Sequence, residues 1–95
     1  LNIGDVHWQL KEYSKSIEAY QRALGKYQQL KNETRVGDTE NRIGNTFYRM
    51  EQYTKASEAY QRSLVAYQKT NNQTEIAKVT GNIAGAYKAQ KAFSK

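Results

Sequence analysis

Cysteine and proline are both absent from this chain, and histidine occurs only once, as His7. Without cysteine the chain can form neither a disulfide nor a thiolate metal site, and one histidine cannot build a histidine metal cluster. No apolar run approaches the roughly 20 residues that span a bilayer, and no signal-peptide core is present. These absences predict a cytoplasmic protein that neither enters a membrane nor holds a metal.

Catalytic patterns are also missing. The carboxylates are scattered, with no convergent pair that would suggest acid–base catalysis, and the glycine-rich phosphate-binding spacings do not occur. His7 stands where the next copy of an internal repeat has Phe47, which indicates packing rather than chemistry. We therefore expect no enzyme activity and no cofactor.

Basic residues outnumber acidic ones by 15 to 9, which gives a formal net charge of +6. Four lysines and no acid fall within residues 76–95, so the excess is mild and concentrated near one end. Nucleic-acid-binding surfaces usually carry a denser stripe of lysine and arginine. The charge pattern favours an ordinary solvated surface over a nucleic-acid interface.

A repeat with a period of 40 residues runs through the chain. The stretch EAYQR stands at residues 18–22 and again at 58–62, and 14 of the first 40 residues are identical to the residues 40 positions later. Unrelated sequences would share about 2 or 3. A further copy begins at Ile83. Such a period indicates stacked units, because one unit cannot bury its apolar face alone.

Each copy has the apolar spacing of two helices. In the second copy the two stripes are Val36, Ile43, Phe47 and Met50, followed by Ala56, Tyr60, Leu64 and Tyr67. The polar stretches at 30–33 and 70–73 separate the copies. We expect five helices, at about 1–11, 14–31, 34–51, 54–70 and 73–91.

Helix starts are marked by residues whose side chains accept backbone N–H groups. Asn72, with Glu75 three residues later, has the spacing of a capping box. Ser14, Thr54 and Ser94 stand where the second helix of each copy should begin, and each is a predicted cap.

The repeated residues resemble the tetratricopeptide repeat along the whole chain. Ile43-Gly44 is followed by Phe47, and the next helix opens on an aromatic residue, Tyr53. That helix continues with a small residue, an aromatic and another small residue: Ala56, Tyr60 and Ser63. The period is 40 rather than the usual 34. The IGN stretch at 43–45 is similar to the Leu-Gly-Asn subtype, which has this longer period.

The resemblance implies an all-α solenoid of antiparallel helix hairpins. Five helices would make about two and a half units in a single array over residues 1–95. Unit one would cover about 1–33, unit two about 34–73, and half of unit three about 74–95. We expect the chain to be a fragment of a longer array, whose open repeat ends favour self-association.

The same resemblance implies a non-catalytic scaffold for protein–protein interaction. Its concave groove, formed by the first helix of each repeat, would bind a peptide or a partner helix. The alternative is a regulatory or self-association segment of a larger signalling protein. That segment would pack on its own effector domain or on another copy.

Helical geometry predicts which residues face the groove. With Ile43 toward the core, Asn41, Asn45 and Tyr48 lie about 140–200° away around the helix. The predicted groove residues are Asp5, Trp8, Asn41, Arg42, Asn45, Tyr48, Arg49, Lys78, Asn82 and Lys88. The lysines would favour an acidic ligand group. The pattern matches a carboxylate-gripping repeat only in part, and ordinary exposed polar residues remain the alternative.

Overall fold

Helices make up the part of the chain that the structure, a computed structural model, describes. That part is the backbone of residues 3–93 and the side chains of residues 11–92. The helices are α1 (Ile3–Gln29), α2 (Glu33–Arg49), α3 (Tyr53–Thr70) and α4 (Gln73–Phe93). Each helix packs against the next, and the short connections make neighbours antiparallel. The expected all-α class is confirmed.

The prediction of five helices, and with it the count of two and a half hairpins, is wrong. Residues 3–29 form one continuous helix where a break was expected between residues 11 and 14. At the matching corner of the second copy, Glu51 adopts φ 62°, a left-handed conformation that costs a non-glycine residue roughly 1–2 kcal/mol. Packing of α2 on α3 offsets that cost. Lys11 stands at this position in the first copy, where the helix continues without a break.

The remaining helix ends agree with expectation to within two residues. Asn72 Oδ1 accepts the backbone N–H of Glu75 at 3.3 Å, which confirms the predicted cap. Asn32 Oδ1 accepts the N–H of Arg35 at 3.2 Å in the same way. The other predicted caps fail or lie elsewhere: Ser14 is inside α1, and α3 begins at Tyr53 without a side-chain cap from Thr54. Ser94 lies outside the described residues.

The core is centred on α3, which lies between α2 and α4. The buried apolar residues of α3 are Ala56, Ala59, Tyr60, Ala66 and Tyr67. Phe47 of α2 packs against this core, and Val79 and Ala86 join it from α4. Val36 and Ile43 of α2 are also buried. The predicted apolar stripes of α2 and α3 therefore face each other.

Two glycines let α2 approach α3 closely. A Cβ atom on Gly44 would lie 2.5 Å from the Tyr60 ring, and one on Gly37 would lie 2.6 Å from the Tyr67 ring. The rings therefore occupy the space that side chains would fill. The expected role of Gly44, close helix packing, is what the structure shows.

An ion pair between a buried glutamate and an exposed arginine also joins α2 to α3. Glu40 is only 3% exposed, and Arg62 Nε donates to its Oε2 at 2.9 Å. The other carboxylate oxygen, Oε1, has no hydrogen-bond partner among the described residues. This contact links α2 to α3 in addition to the packing of the tyrosine rings on the glycines.

Candidate interaction groove

A groove of about 260 Å³ opens between α2 and α4. We call it the α2–α4 groove; its lining residues are Asn45, Tyr48, Tyr60, Gly81, Asn82 and Gly85. Tyr60 reaches it from α3, with only the end of its side chain available because the residue is 3% exposed. The groove therefore combines two amides, two phenol groups and two glycines.

Asparagine side chains link the two walls. Asn82 Nδ2, on α4, donates to Asn41 Oδ1, on α2, at 3.0 Å. Each amide carries two N–H donors and a carbonyl acceptor, so this single bond leaves both side chains with further hydrogen-bonding capacity. The pair links α2 to α4 directly and keeps polar groups beside the groove.

The hydroxyl of Tyr60 orients Asn45. It donates to Asn45 Oδ1 at 2.6 Å, so the amide nitrogen of Asn45 is left to face a ligand. Burial, with a smaller contribution from Tyr48, raises the pKa of Tyr60 to about 12, against the lowering effect of Arg49. The hydroxyl is therefore protonated at neutral pH and acts as a fixed donor.

Tyr48 supplies the aromatic surface of the groove. Its side chain is 39% exposed. The ring contacts Tyr53 edge-on, with centroids 5.1 Å apart and an interplanar angle of 71°. Because the edge contact restrains the ring, Tyr48 presents a preorganised face to a ligand.

The structure does not place the other predicted groove residues in the lining of this groove. Arg42 is exposed and lines a different groove, between α1 and α2. Lys78 Nζ lies 3.7 Å from Glu75 Oε1 on its own helix. Arg49 and Lys88 are exposed on α2 and α4. The side chains of Asp5 and Trp8 lie outside the described residues. Asn45, Tyr48 and Asn82 thus come together, with Asn41 joined through Asn82.

Gly81 and Gly85 were not among the predicted groove residues. A Cβ atom on either would meet no other atom within 4 Å, so a strip of bare α4 backbone faces open space. The 40-residue period contains the signal, because it aligns Gly81 with Asn41 and Gly85 with Asn45. Helical spacing also places both glycines on the outward face of the last helix, but they were left out of the predicted groove because a glycine has no side chain with which to bind.

Two negative findings hold for the part of the chain that is described. There, no three His, Cys, Asp or Glu side chains cluster closely enough to hold a metal ion. The helices of residues 3–93 include none with the length and apolarity needed to cross a membrane.

Comparison with known protein families gives one match, to the tetratricopeptide repeat, over residues 1–69. No curated protein was found to match the chain. Repeats of this family generally mediate protein–protein interaction and are typically non-catalytic. The matched region covers most of the chain and includes the closely packed α2–α3 hairpin, with its small residues where the aromatic rings of α3 pack. The chain belongs to the tetratricopeptide repeat family.

Proposed function

We propose that this chain binds a peptide or a partner helix in the α2–α4 groove, and that it acts as a scaffold without catalysis. The observation that carries the proposal is the asparagine pair that spans the groove beside bare backbone. Asn41 and Asn82 retain donors and acceptors after bonding each other, and these can pair with the N–H and C=O groups of a ligand backbone. Gly81 and Gly85 leave room for that backbone to come close.

Tyr48 would provide the anchor for a ligand side chain. Tyrosine is enriched among interface residues that dominate binding energy, since it offers a large rigid surface with one polar atom. Here the ring is already held by Tyr53, so binding would cost little side-chain entropy. A ligand residue with an apolar or aromatic side chain suits this position.

Exposed basic side chains on the two helices that form the groove favour a ligand with an acidic group. Arg49, Lys78 and Lys88 are all exposed. The contact of Lys78 with Glu75 is a surface ion pair, worth at most about 1 kcal/mol, so Lys78 can exchange it for a ligand carboxylate. The proposed ligand is therefore a peptide with a carboxylate near an apolar residue.

The 40-residue period also supports placing the chain in the long-period subtype with an Ile-Gly-Asn stretch. The proposed unit boundaries, near residues 33 and 73, fall at the corners before α2 and α4. On this division residues 1–95 form one array. Its groove is built from the first helices of the second and third units.

The test begins with selection of peptides from a random library on the 95-residue chain. Binding of a selected peptide is then measured by fluorescence anisotropy. Tyr48→Ala and Asn82→Ala should each weaken binding by about tenfold or more, as loss of a central contact does. Gly85→Leu should block binding by filling the groove.

Matched controls lie outside the groove. Tyr87 is 49% exposed and bonds to Gln61 on the far side of α4, so Tyr87→Ala removes a comparable ring without touching the groove. Gly25→Leu adds the same side chain as Gly85→Leu at another site where a Cβ meets nothing. If these controls weaken binding as much as the groove variants do, the α2–α4 groove is not the binding site.

A further inference from the structure

The first copy of the repeat exposes a surface that the second copy buries. In the second copy, Tyr60, Ser63 and Tyr67 of α3 are 3%, 0% and 1% exposed beneath α2. The period of 40 aligns them with Tyr20, Ala23 and Tyr27 of α1, which are only half-buried. These three residues instead line a cavity of about 230 Å³, together with Arg35, Asp38, Thr39 and Arg42 of α2. We call this the α1–α2 groove.

The repeat also specifies what should cover this groove. In the second copy Gly44 lies against the ring of Tyr60, and Asn45 accepts the Tyr60 hydroxyl. The aligned residues in the first copy are Gly4, Tyr20 and Asp5. The helix that belongs on Tyr20 is therefore the segment that begins α1.

Within one copy that contact cannot form. Gly4 and Tyr20 lie 16 residues apart on the same continuous helix, which separates them by about 24 Å along its axis. The first copy thus contains both surfaces of a helix–helix contact, one with Gly4 and one with Tyr20. The continuous helix α1 keeps these two surfaces apart.

We infer that a second copy of this chain completes the contact. Residues 3–11 of each copy lie in the α1–α2 groove of the other, where Gly4 and Asp5 take the positions beside Tyr20 that Gly44 and Asn45 take beside Tyr60. The exchange is reciprocal, so one two-fold axis relates the copies and both grooves are filled. This self-association is independent of ligand binding in the α2–α4 groove.

Charge complementarity supports this occupant. Asn45 and Asn82 line one groove in the second copy, and the residues aligned with them are Asp5 and Arg42. Two asparagines of the second copy thus correspond to one acidic and one basic residue in the first copy. Arg42 is exposed at the α1–α2 groove, where a carboxylate from the second copy would pair with it. The segment that carries Asp5 is therefore complementary in charge to Arg42 at the α1–α2 groove.

The test uses charge reversal and sedimentation velocity over a range of concentrations. The unaltered chain should form dimers. Asp5→Arg and Arg42→Glu should each raise the dimer dissociation constant at least tenfold, because each places like charges at both interfaces. An equimolar mixture of the two variants should dimerise as the unaltered chain does. In the mixed dimer one interface pairs Arg with Glu and the other pairs Asp5 with Arg42.

The mixture separates exchange between copies from a segment that bends back on its own chain. A bent-back segment would give a monomer at every concentration, and mixing the variants would restore nothing; either result overturns the inference. Circular dichroism of each variant monitors folding, and a second pair of variants gives an independent test. Gly4→Leu should abolish dimers, whereas Gly25→Leu, where a Cβ meets no atom within 4 Å, should leave them unchanged. Equal effects of these two substitutions would also overturn it.

Discussion

Pairs of glycine and tyrosine hold α2 against α3. Each glycine is followed by a polar residue that accepts the hydroxyl of the tyrosine packed on it: Tyr60 donates to Asn45 at 2.6 Å, and Tyr67 donates to Asp38 at 2.5 Å. The rings cross the helix interface, and the hydroxyls emerge on its far side. Asn45 is therefore both a residue of the α2–α4 groove and an anchor for the core.

Sequence pattern predicted one half of this arrangement. The recurrence of glycine beside the apolar stripe indicated close packing, and Gly44 packs closely. The hydrogen bonds of Asn45 and Asp38 could not be predicted in the same way. They depend on how far a tyrosine reaches past the partner helix, which is set by the separation of the helices rather than by residue spacing.

The glycines of α2 and α4 should respond oppositely to alanine. Alanine is favoured over glycine inside a helix by roughly 1 kcal/mol. Gly81→Ala should therefore raise the free energy of unfolding by about 0.5–1 kcal/mol, since its Cβ meets nothing. Gly44→Ala should lower it by about 1–2 kcal/mol, because overpacking against Tyr60 outweighs the gain in propensity. Urea denaturation followed by circular dichroism measures both, and stabilisation by both would refute the packing role of Gly44.

The corners between helices share one backbone feature. The residues with left-handed φ are Lys31 at 56°, Glu51 at 62° and Asn71 at 59°, and none of them is glycine. Left-handed φ strains a residue with a Cβ, and asparagine tolerates it best. The corners before α2 and α4 were predictable because Asn32 and Asn72 cap the next helix. The absence of a corner in α1 was not predictable from the sequence. A corner forms there only if helix packing offsets the strain of a left-handed φ at residue 11.

Corner strain predicts a stabilising substitution. Glu51→Gly should raise the free energy of unfolding by up to about 1 kcal/mol, because glycine adopts left-handed φ without a Cβ clash. Asn71→Gly is the matched control and should change it by only a few tenths, since asparagine already suits the conformation. Thermal and urea unfolding of the two variants provide the comparison. A larger gain at residue 71 than at residue 51 would show that strain at Glu51 is not the cause.

At the scale of the whole molecule, the repeat predicts which faces meet but not how many helices form. Ile43 and Tyr60 face the core and Tyr48 faces outward, as the helical spacing indicated. The number of helices is a tertiary property, because the same period can be read as a hairpin or as one straight helix. The basic groove residues also scatter: Arg42 belongs to the α1–α2 groove, and Lys78 contacts Glu75. Long side chains on one helix face can turn to either neighbour, and spacing alone does not decide which.

Stability of the whole fold should fall steeply in alkali. Burial raises the pKa of Tyr60 from 10.0 to about 12, and burial with the hydrogen bond to Asp38 raises that of Tyr67 further. The unfolded chain therefore releases these protons at lower pH than the folded one does. The stabilisation is complete below pH 10 and is lost as the pH rises through the folded values. Between pH 10 and 12 the change at Tyr60 alone corresponds to roughly 3 kcal/mol.

Tyr60→Phe separates this effect from general alkaline denaturation. At pH 7 the variant should lose about 1 kcal/mol, the usual worth of a hydrogen bond, because Asn45 is left without its donor. Above pH 10 its free energy of unfolding should fall less steeply than that of the unaltered chain, since one titrating group has been removed. Urea denaturation at several pH values between 7 and 11.5 gives both slopes. Equal slopes would mean that the Tyr60 hydroxyl ionises alike in the folded and unfolded chain, and that its burial does not raise its pKa.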